Sequence, residues 1–279
     1  VRPRAVDELE ALARFTRRVP DRRPARWLAR QVRKFYLRKP RQDVRAQVAG
    51  CAMALNPRDY VEGQLLFTPQ FYEADERAWV AEHLKAGDVF VDLGAHAGCY
   101  TLIAARVVGP TGRVVAVEAH PGTVERLRNN VRLNGLENVE VVPCGVSDAE
   151  ELLHLSMNAS RNSGASSFLI PVGDDVAVPC RPLLDLLRDR AVERVAGLKA
   201  DIEGFEFRVL RRFLADAPES LWPGFVLVEQ KDWWVEQAGG NAVELLCSHG
   251  YEVAWRTGED RTWTNYVLTR PVRGKPAQA

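Results

Sequence analysis

The stretch Asp88–Tyr100, DVFVDLGAHAGCY, constrains the chain more than any other. Val89, Phe90, Val91 and Leu93 form a short apolar run that reads as a buried strand, and it ends in a turn bearing Gly94 and Gly98. A helical pattern follows at once through Thr101, Leu102, Ile103 and Ala104. Strand, glycine turn and helix start together form a nucleotide socket, because glycine lets the backbone come close and the helix start offers unpaired N–H groups.

The same rhythm continues downstream. Strands are predicted at 88–93, 113–118, 139–143, 196–201 and 225–230, with helices at 98–108, 121–134, 182–190, 203–214 and 240–249 between and after them. Strands alternating with helices imply a parallel sheet covered on both faces. Two final strands, 250–255 and 263–269, lack a helical pattern between them and imply an antiparallel hairpin at the sheet edge. Residues 151–180 interrupt the rhythm with two strands around a polar loop, NASRNSGASS. Upstream, 44–55 reads as two short strands about Gly50, 56–72 as turn-rich and aromatic, and 73–85 as a helix.

The N-terminus has a different character. Residues 1–45 carry 15 Lys+Arg against 5 Asp+Glu, so a basic arm precedes an acidic body in a chain whose net charge is only +1. Residues 6–19 show helical spacing with acids first and arginines last, matching the helix dipole. A second basic amphipathic helix is expected after Pro24. These helices either dock on the acidic body, build a homodimer contact, or offer a surface for nucleic acid, anionic lipid or an acidic carrier protein; docking or dimerisation is the expectation. The division expected is 1–45 as a helical extension and 46–279 as one catalytic domain, with a hairpin region at 46–70 and an insertion at 151–180. The five cysteines are scattered and without a CxxC pair, so neither a disulfide framework nor a zinc site is indicated. With no secretory h-region and no apolar run of about 18 residues, the expectation is a cytoplasmic protein without a membrane span.

In a doubly wound sheet, ligands sit beyond the carboxyl ends of the strands. Five strand ends here carry acids: Asp92, Glu118, Asp148 after Ser147, Asp201 with Glu203, and Glu229. Glu118 stands 20 residues after Gly98, where a carboxylate can accept hydrogen bonds from both ribose hydroxyls of an adenosine. A dinucleotide-binding turn would read GxGxxG. Here it reads GAHAG with Asp92 before it, an acid that repels a pyrophosphate and suits a sulfonium carrying an ammonium. S-adenosyl-L-methionine therefore fits better than NAD.

The runs VFVDLGAHAGCYTL, VVAVEAHP with RLRNNVRLNG, and LKADIEGFEFRVL, preceded by FTPQFYEADE, resemble the FkbM family of class I S-adenosylmethionine-dependent methyltransferases. The resemblance covers roughly residues 55–270. It implies a Rossmann-like α/β fold with a seven-stranded, mostly parallel sheet, and methyl transfer to a hydroxyl of a sugar, polyketide or other secondary metabolite, free or carrier-bound. Carried over, Asp92, Gly94, Ala95, His96 and Gly98 form the methionine-side loop, Glu118 and Ala119 face the ribose, Ser147 and Asp148 lie near the adenine, and Asp201 with Glu203 and Gly204 faces the transferring methyl. His96 stands where the family commonly has Asn, and Ala119 where it often has Pro.

An alcohol nucleophile must lose a proton, so a general base is needed. Asp201 is the first candidate, Glu229 the second, with Glu203 beside them; binding the methionine amine or capping the following helix is the competing role for Asp201. No metal is assigned, although a divalent ion on Asp201, Glu203 and Glu229 is a further alternative. The acceptor pocket would draw on Asn162–Ser167, Trp233-Trp234 or Tyr60–Tyr72, while His120 and His154 receive no role. The competing functions are a nucleic-acid methyltransferase using the basic arm, disfavoured because DIEGF stands where base methyltransferases carry an Asn/Asp-Pro-Pro-aromatic motif, and an NAD-dependent oxidoreductase.

Overall fold

The computed structural model describes residues 11–18, 43–156, 166–168, 175–231, 235–257 and 264–271, with 20, 27 and 31 as single positions. The strands are β1 (Val44–Val48), β2 (Cys51–Leu55), β3 (Val89–Leu93), β4 (Arg113–Val117), β5 (Val139–Val142), β6 (Gly145–Ser147), β7 (Glu151–Ser156), β8 (Asp175–Pro182), β9 (Gly197–Ala200), β10 (Phe225–Gln230), β11 (Glu252–Arg256) and β12 (Thr264–Thr269). The helices are α1 (Tyr60–Phe67), α2 (Ala74–His83), α3 (Cys99–Val108), α4 (Pro121–Leu133), α5 (Leu183–Arg188), α6 (Glu206–Asp216), α7 (Val235–Ala238) and α8 (Ala242–Ser248).

Seven strands form the central sheet in the order β11-β12-β10-β9-β3-β4-β5. The pairs β3–β4, β4–β5, β3–β9 and β9–β10 are parallel, whereas β12 runs antiparallel to both β10 and β11. The expected edge hairpin is present, with its second strand inserted inward, next to β10. The chain order reverses between β3 and β9, and that crevice is where a ligand site belongs in an open α/β sheet.

Alternation along the strands divides the core. Val91 and Leu93 of β3 point to the face covered by α5, α6 and α8, packing with Leu187, Phe213 and Leu246. Phe90 points to the other face, against Val80 of α2 and Ala104 and Val108 of α3. The period of two thus places Asp92 on the α3 face, where a carboxylate has to find a partner.

Three local readings change. The region 56–72 contains helix α1: Asp59 caps it by accepting from the Glu62 N–H at 3.0 Å. Its apolar residues Leu65, Leu66 and Phe67 are consecutive and buried, so no helical stripe marks it in the sequence. The helix expected from 203 starts at Glu206, because Glu203 and Gly204 both have positive φ (53° and 106°). Asp201 therefore does not cap it; the Glu206 carboxylate instead accepts from the Ile202 and Gly204 N–H groups at 2.7 and 2.9 Å. A short strand ahead of the insertion, β6, pairs with β8, giving a small sheet of order β6-β8-β7.

The β1–β2 hairpin closes through Ala49 and Gly50, both with positive φ, as a two-residue turn between registered Val48 and Cys51 requires. Its free edge is covered by side chains in place of a strand. Asn134 of α4 accepts from the Ala52 N–H at 2.9 Å and donates to the Ala52 carbonyl at 2.7 Å. One helical turn earlier, Asn130 accepts from the Ala54 N–H at 2.7 Å and donates to the Ala97 carbonyl of the glycine turn at 2.9 Å. The i, i+4 spacing along the helix thus meets the i, i+2 spacing along the strand.

Residues 11–16 are helical and lie on this layer, with Ala13 and Thr16 buried. Arg17 donates to the Leu66 carbonyl at 2.9 Å and to the Gln47 carbonyl at 2.5 Å. This part of the basic arm docks on its own chain. Of the second basic helix only positions 27 and 31 are among the described residues, so the dimer and nucleic-acid expectations for the arm fall largely outside them. No helix among the described residues is long and apolar enough to cross a membrane.

Replacing Asn130 with Ala strands the buried Ala54 N–H and removes the tie to Ala97. Thermal and urea denaturation should show a loss of about 2 kcal/mol; a change within about 0.5 kcal/mol, the range of ordinary surface substitutions, would mean that the edge is satisfied without it.

Candidate functional site

The glycine turn is held from two sides. Gly94 and Ala95 both donate their N–H groups to the Val117 carbonyl at 3.0 Å, which ties the turn to the end of β4. At Gly94, φ is +73°, and a Cβ there would lie 1.9 Å from the Asp201 carbonyl oxygen, so the turn passes against the end of β9 with room for hydrogen only. At Gly98, φ is +94° and a Cβ would meet Leu127 of α4 at 2.6 Å. Both glycines are thus fixed by close approach as well as by backbone conformation.

Glu118 is buried at the end of β4, and each of its oxygens accepts one backbone N–H at 2.8 Å, from His96 and from His120. Burial raises its pKa, opposed by these two hydrogen bonds. A carboxylate so clamped still has a free lone pair on each oxygen for a ligand hydroxyl. Ala119 sits half-buried between the two donors' segments. His96 adopts φ 50°, which aims its N–H at Glu118, while its Nε2 lies 4.0 Å from Asp59. Burial first, and Arg126 nearby, keep His96 below the ordinary histidine value despite Asp59. His120 caps α4, its Nδ1 accepting from the Thr123 N–H at 3.2 Å ahead of Pro121.

Asp92 is fully buried. Its Oδ2 accepts from the Thr101 hydroxyl at 2.6 Å, whereas its Oδ1 has no hydrogen-bond partner and faces the Lys199 ammonium at 3.9 Å. An orphaned carboxylate oxygen beside a glycine turn suits a cationic ligand group, so the donor set fits a molecule with an ammonium and a ribose. Lys199 is the functional residue that sequence reasoning missed. Its Nζ lies 3.2 Å from Asp201 Oδ2 and 3.5 Å from the Gly94 carbonyl. Burial works to lower its pKa, yet Asp201, Asp92 and Glu73 raise it on balance, so the ammonium stays charged. A lysine inside the apolar strand GLKA was the available signal, since a central strand position buried on both faces does not accept a charge without partners.

Asp201, Glu203 and Glu229 converge, each offering an oxygen within 4.8 Å of the others. The Lys231 ammonium, also missed from sequence, lies 2.6 Å from Glu203 Oε2 and 2.7 Å from Glu229 Oε2. Burial opposes ionisation of Asp201, but Lys199 and Lys231 hold its pKa below the usual carboxylate value. Burial pushes Glu203 up to about 8, with Lys231 opposing, and Glu229 up to about 7, with Asp201 adding to the rise. Glu73 joins the same field: it has φ 45°, accepts from the Tyr100 hydroxyl at 2.9 Å, and is pushed by burial up to about 7. Its neighbour Tyr72 is raised by burial and by Glu73, Asp201 and Glu229. The inserted segment reaches this wall through Ser167, whose hydroxyl donates to the Glu203 carbonyl at 2.9 Å.

Ser147 and Asp148 sit elsewhere in the hydrogen-bond pattern. Ser147 bonds Glu151, and Asp148 pairs with Arg208 and Arg211 of α6. Among the described residues their recorded polar partners belong to that ion-pair group and not to the glycine turn. Asn162 and the Trp233-Trp234 pair lie outside the described residues. A second convergent group, Asp59, Glu62 and His96, is already occupied: Asp59 caps α1 and Glu62 pairs with Arg126 at 3.1 Å.

The profile of the methyltransferase FkbM domain matches residues 92–253. Among curated proteins, the chain is 26% identical over 200 residues to 31-O-demethyl-FK506 methyltransferase FkbM of Streptomyces tacrolimicus, covering 61% of this chain and 75% of that protein. It is 26% identical over 184 residues to methyltransferase sdnD of Sordaria araneosa, covering 54% and 69%. A shorter match, 34% over 84 residues, joins 25% of this chain to 22% of the arsenite methyltransferase of Halobacterium salinarum, so the chain spans about a fifth of that relative's length. Among solved structures, M. jannaschii TYW2 in complex with AdoMet is similar with a TM-score of 0.44 at 16% identity, over 84% of this chain and 87% of that one.

Exchanging Glu118 for Gln places an amide N–H₂ against one of two backbone donors. Calorimetry with S-adenosylhomocysteine should then show affinity reduced by about tenfold or more, alongside a lower melting temperature without ligand from the one stranded backbone N–H; equal affinities would remove Glu118 from the ribose role.

Proposed function

The chain belongs to the FkbM family of S-adenosylmethionine-dependent methyltransferases, its family match covering more than half of its length, and from that premise we propose that it methylates a hydroxyl group of a small-molecule acceptor. Membership sets aside the nicotinamide alternative. The observation that supports oxygen as the nucleophile is the Glu203–Glu229 pair. Carboxylates lifted to about 8 and about 7 beside an ionised Asp201 are matched to taking a proton near neutral pH.

Bound S-adenosylmethionine supplies a methyl group already activated by its sulfonium. On this reading Asp92 and Glu118 hold the ammonium and ribose, with the turn from Gly94 to Gly98 as the close backbone wall. The order of the acids at the β9 and β10 ends then changes from the sequence expectation. Asp201, kept ionised by Lys199, is a weak base and serves to orient and to balance charge. Glu229 is the first candidate for removing the acceptor proton, with Glu203 sharing it through Lys231. The wall from Tyr72 to Glu73 and Ser167 would exclude water from the reacting atoms. A sugar or polyketide hydroxyl is the acceptor class in view, and the relative named as a 31-O-demethyl-FK506 methyltransferase is consistent with an oxygen acceptor.

A panel of glycoside, polyketide and carrier-bound alcohols, read by release of S-adenosylhomocysteine, tests the acceptor class. Because the base works deprotonated, turnover should rise with pH through the 7–8 range set by Glu229 and Glu203 and fall away below it. Glu229→Gln should lower kcat by about 100-fold and leave S-adenosylhomocysteine binding in place. Turnover confined to amines, or a flat profile from about pH 6 to about pH 9, roughly three units across the ionisation of both glutamates, would sink the reading.

A further inference from the structure

The carboxylate group at the β9 and β10 ends has the form of a divalent-cation site, and a side chain already stands inside it. The parallel register pairs Val228 with Ala200, so the next residues, Glu229 and Asp201, lie side by side at the strand ends. Two residues further, Glu203 and Lys231 follow on the two chains. Lys199 pairs with Asp201 along β9 and its continuation, and Lys231 beyond β10 pairs with both Glu229 and Glu203. The result is a ladder in which cations and anions interleave. Lys231 Nζ sits 2.6 Å from Glu203 Oε2 and 2.7 Å from Glu229 Oε2, largely buried. A hard cation bound by these oxygens would need ligand distances of about 2.1 Å for Mg²⁺ or Mn²⁺, within the volume that Nζ fills.

We propose that the Lys231 ammonium is the resident cation of this site, standing where a divalent metal would sit among Asp201, Glu203 and Glu229 and holding the two glutamates for proton transfer. A lysine does this differently from a metal. Its charge is one rather than two, its three donors can rotate between partners, and it leaves the carboxylates basic instead of consuming their lone pairs. Lys231 is thus a positioning residue acting through Glu203 and Glu229. The catalytic consequence rests on the O-methyltransferase reading, whereas the cation exchange itself does not.

Mn²⁺ is the probe, followed by paramagnetic resonance and calorimetry on the full chain with S-adenosylhomocysteine present. Wild-type protein should take up no stoichiometric Mn²⁺ at this site. Lys231→Ala opens a three-carboxylate cage and should bind Mn²⁺ about tenfold tighter or more, a gain that Glu229→Gln in the same background removes. Lys231→Arg should stay without Mn²⁺. Lys231→Met serves if the alanine variant does not fold, and retained S-adenosylhomocysteine binding marks a folded variant. With an acceptor in hand, Lys231→Met should move the acid limb of the rate profile upward by about one pH unit, which a purely structural lysine would not do. Stoichiometric Mn²⁺ uptake by the wild type that Glu229→Gln abolishes overturns the proposal, as does a folded Lys231→Ala protein with no gain in Mn²⁺ affinity. Failure of every alcohol acceptor to react would count against the O-methyltransferase reading and leave the Mn²⁺ result to decide this one.

Discussion

A single buried ammonium holds the centre of the structure together. Lys199 lies on β9, next to β3 at the point where the strand order reverses, and it faces Asp92 of β3, Asp201 beyond β9 and the Gly94 carbonyl. Desolvating an ammonium alone costs several kcal/mol. Here the charge is offset by two carboxylates from two strands and by a carbonyl of the glycine turn. The same contacts explain why the turn runs so close to the end of β9 that Gly94 has no room for a side chain. Breaking such a cluster by removing one member leaves the others buried and unpaired, so the arrangement behaves as a unit. The Asp92 oxygen that faces Lys199 is buried and accepts no hydrogen bond.

Backbone strain marks the same region. Among the described residues, five non-glycine positions have positive φ, and three of them, Glu73, His96 and Glu203, belong to the candidate site. Each conformation has an evident use. His96 turns its N–H onto Glu118, Glu73 brings its carboxylate to the Tyr100 hydroxyl, and Glu203 ends β9's extension so that its side chain reaches Lys231. Such conformations cost of order 1–3 kcal/mol each, and they persist here because the surrounding hydrogen bonds over-determine them.

The sheet was legible because its signals are local. Apolar runs such as VFVDL and the glycine turns carry the strand and helix boundaries directly, and Glu118 announces itself by its distance from Gly98. What stayed hidden depends on partners remote in sequence. Lys199 and Lys231 read as ordinary lysines until β9 and β10 are registered side by side. Helix α1 escaped because it is buried through consecutive apolar residues and shows no stripe. The start of α6 was misplaced because Glu203-Gly204 looks like a helix entrance, whereas the left-handed turn there is stabilised by Glu206 reaching back to two N–H groups. Asp92, Glu118, Asp201 and Glu229 stand at the ends of central-sheet strands, whereas Asp148 follows β6 of the small sheet; the relative ionisation of Asp201, Glu203 and Glu229 follows from the two lysines.

The charges also divide the site into two halves with different freedom to change. The half around the glycine turn is made of main-chain contacts and side chains with both ends committed. Gly94 and Ala95 tie the turn to β4, Glu118 ties it to the start of α4, and Asn130 ties it to the hairpin, so a substitution there disturbs two elements at once. The half beyond β9 and β10 borrows its walls from outside the repeating strand–helix pattern: Tyr72 and Glu73 from the segment before α2, and Ser167 from the insertion. Those segments can lengthen or change without altering the register of the central sheet. On the proposed reading, the first half fixes the donor, the Glu203–Lys231–Glu229 group supplies proton transfer, and the borrowed walls set the acceptor. On that reading a change of acceptor is sought in 56–73 and 151–180, outside the turn that organises the fold.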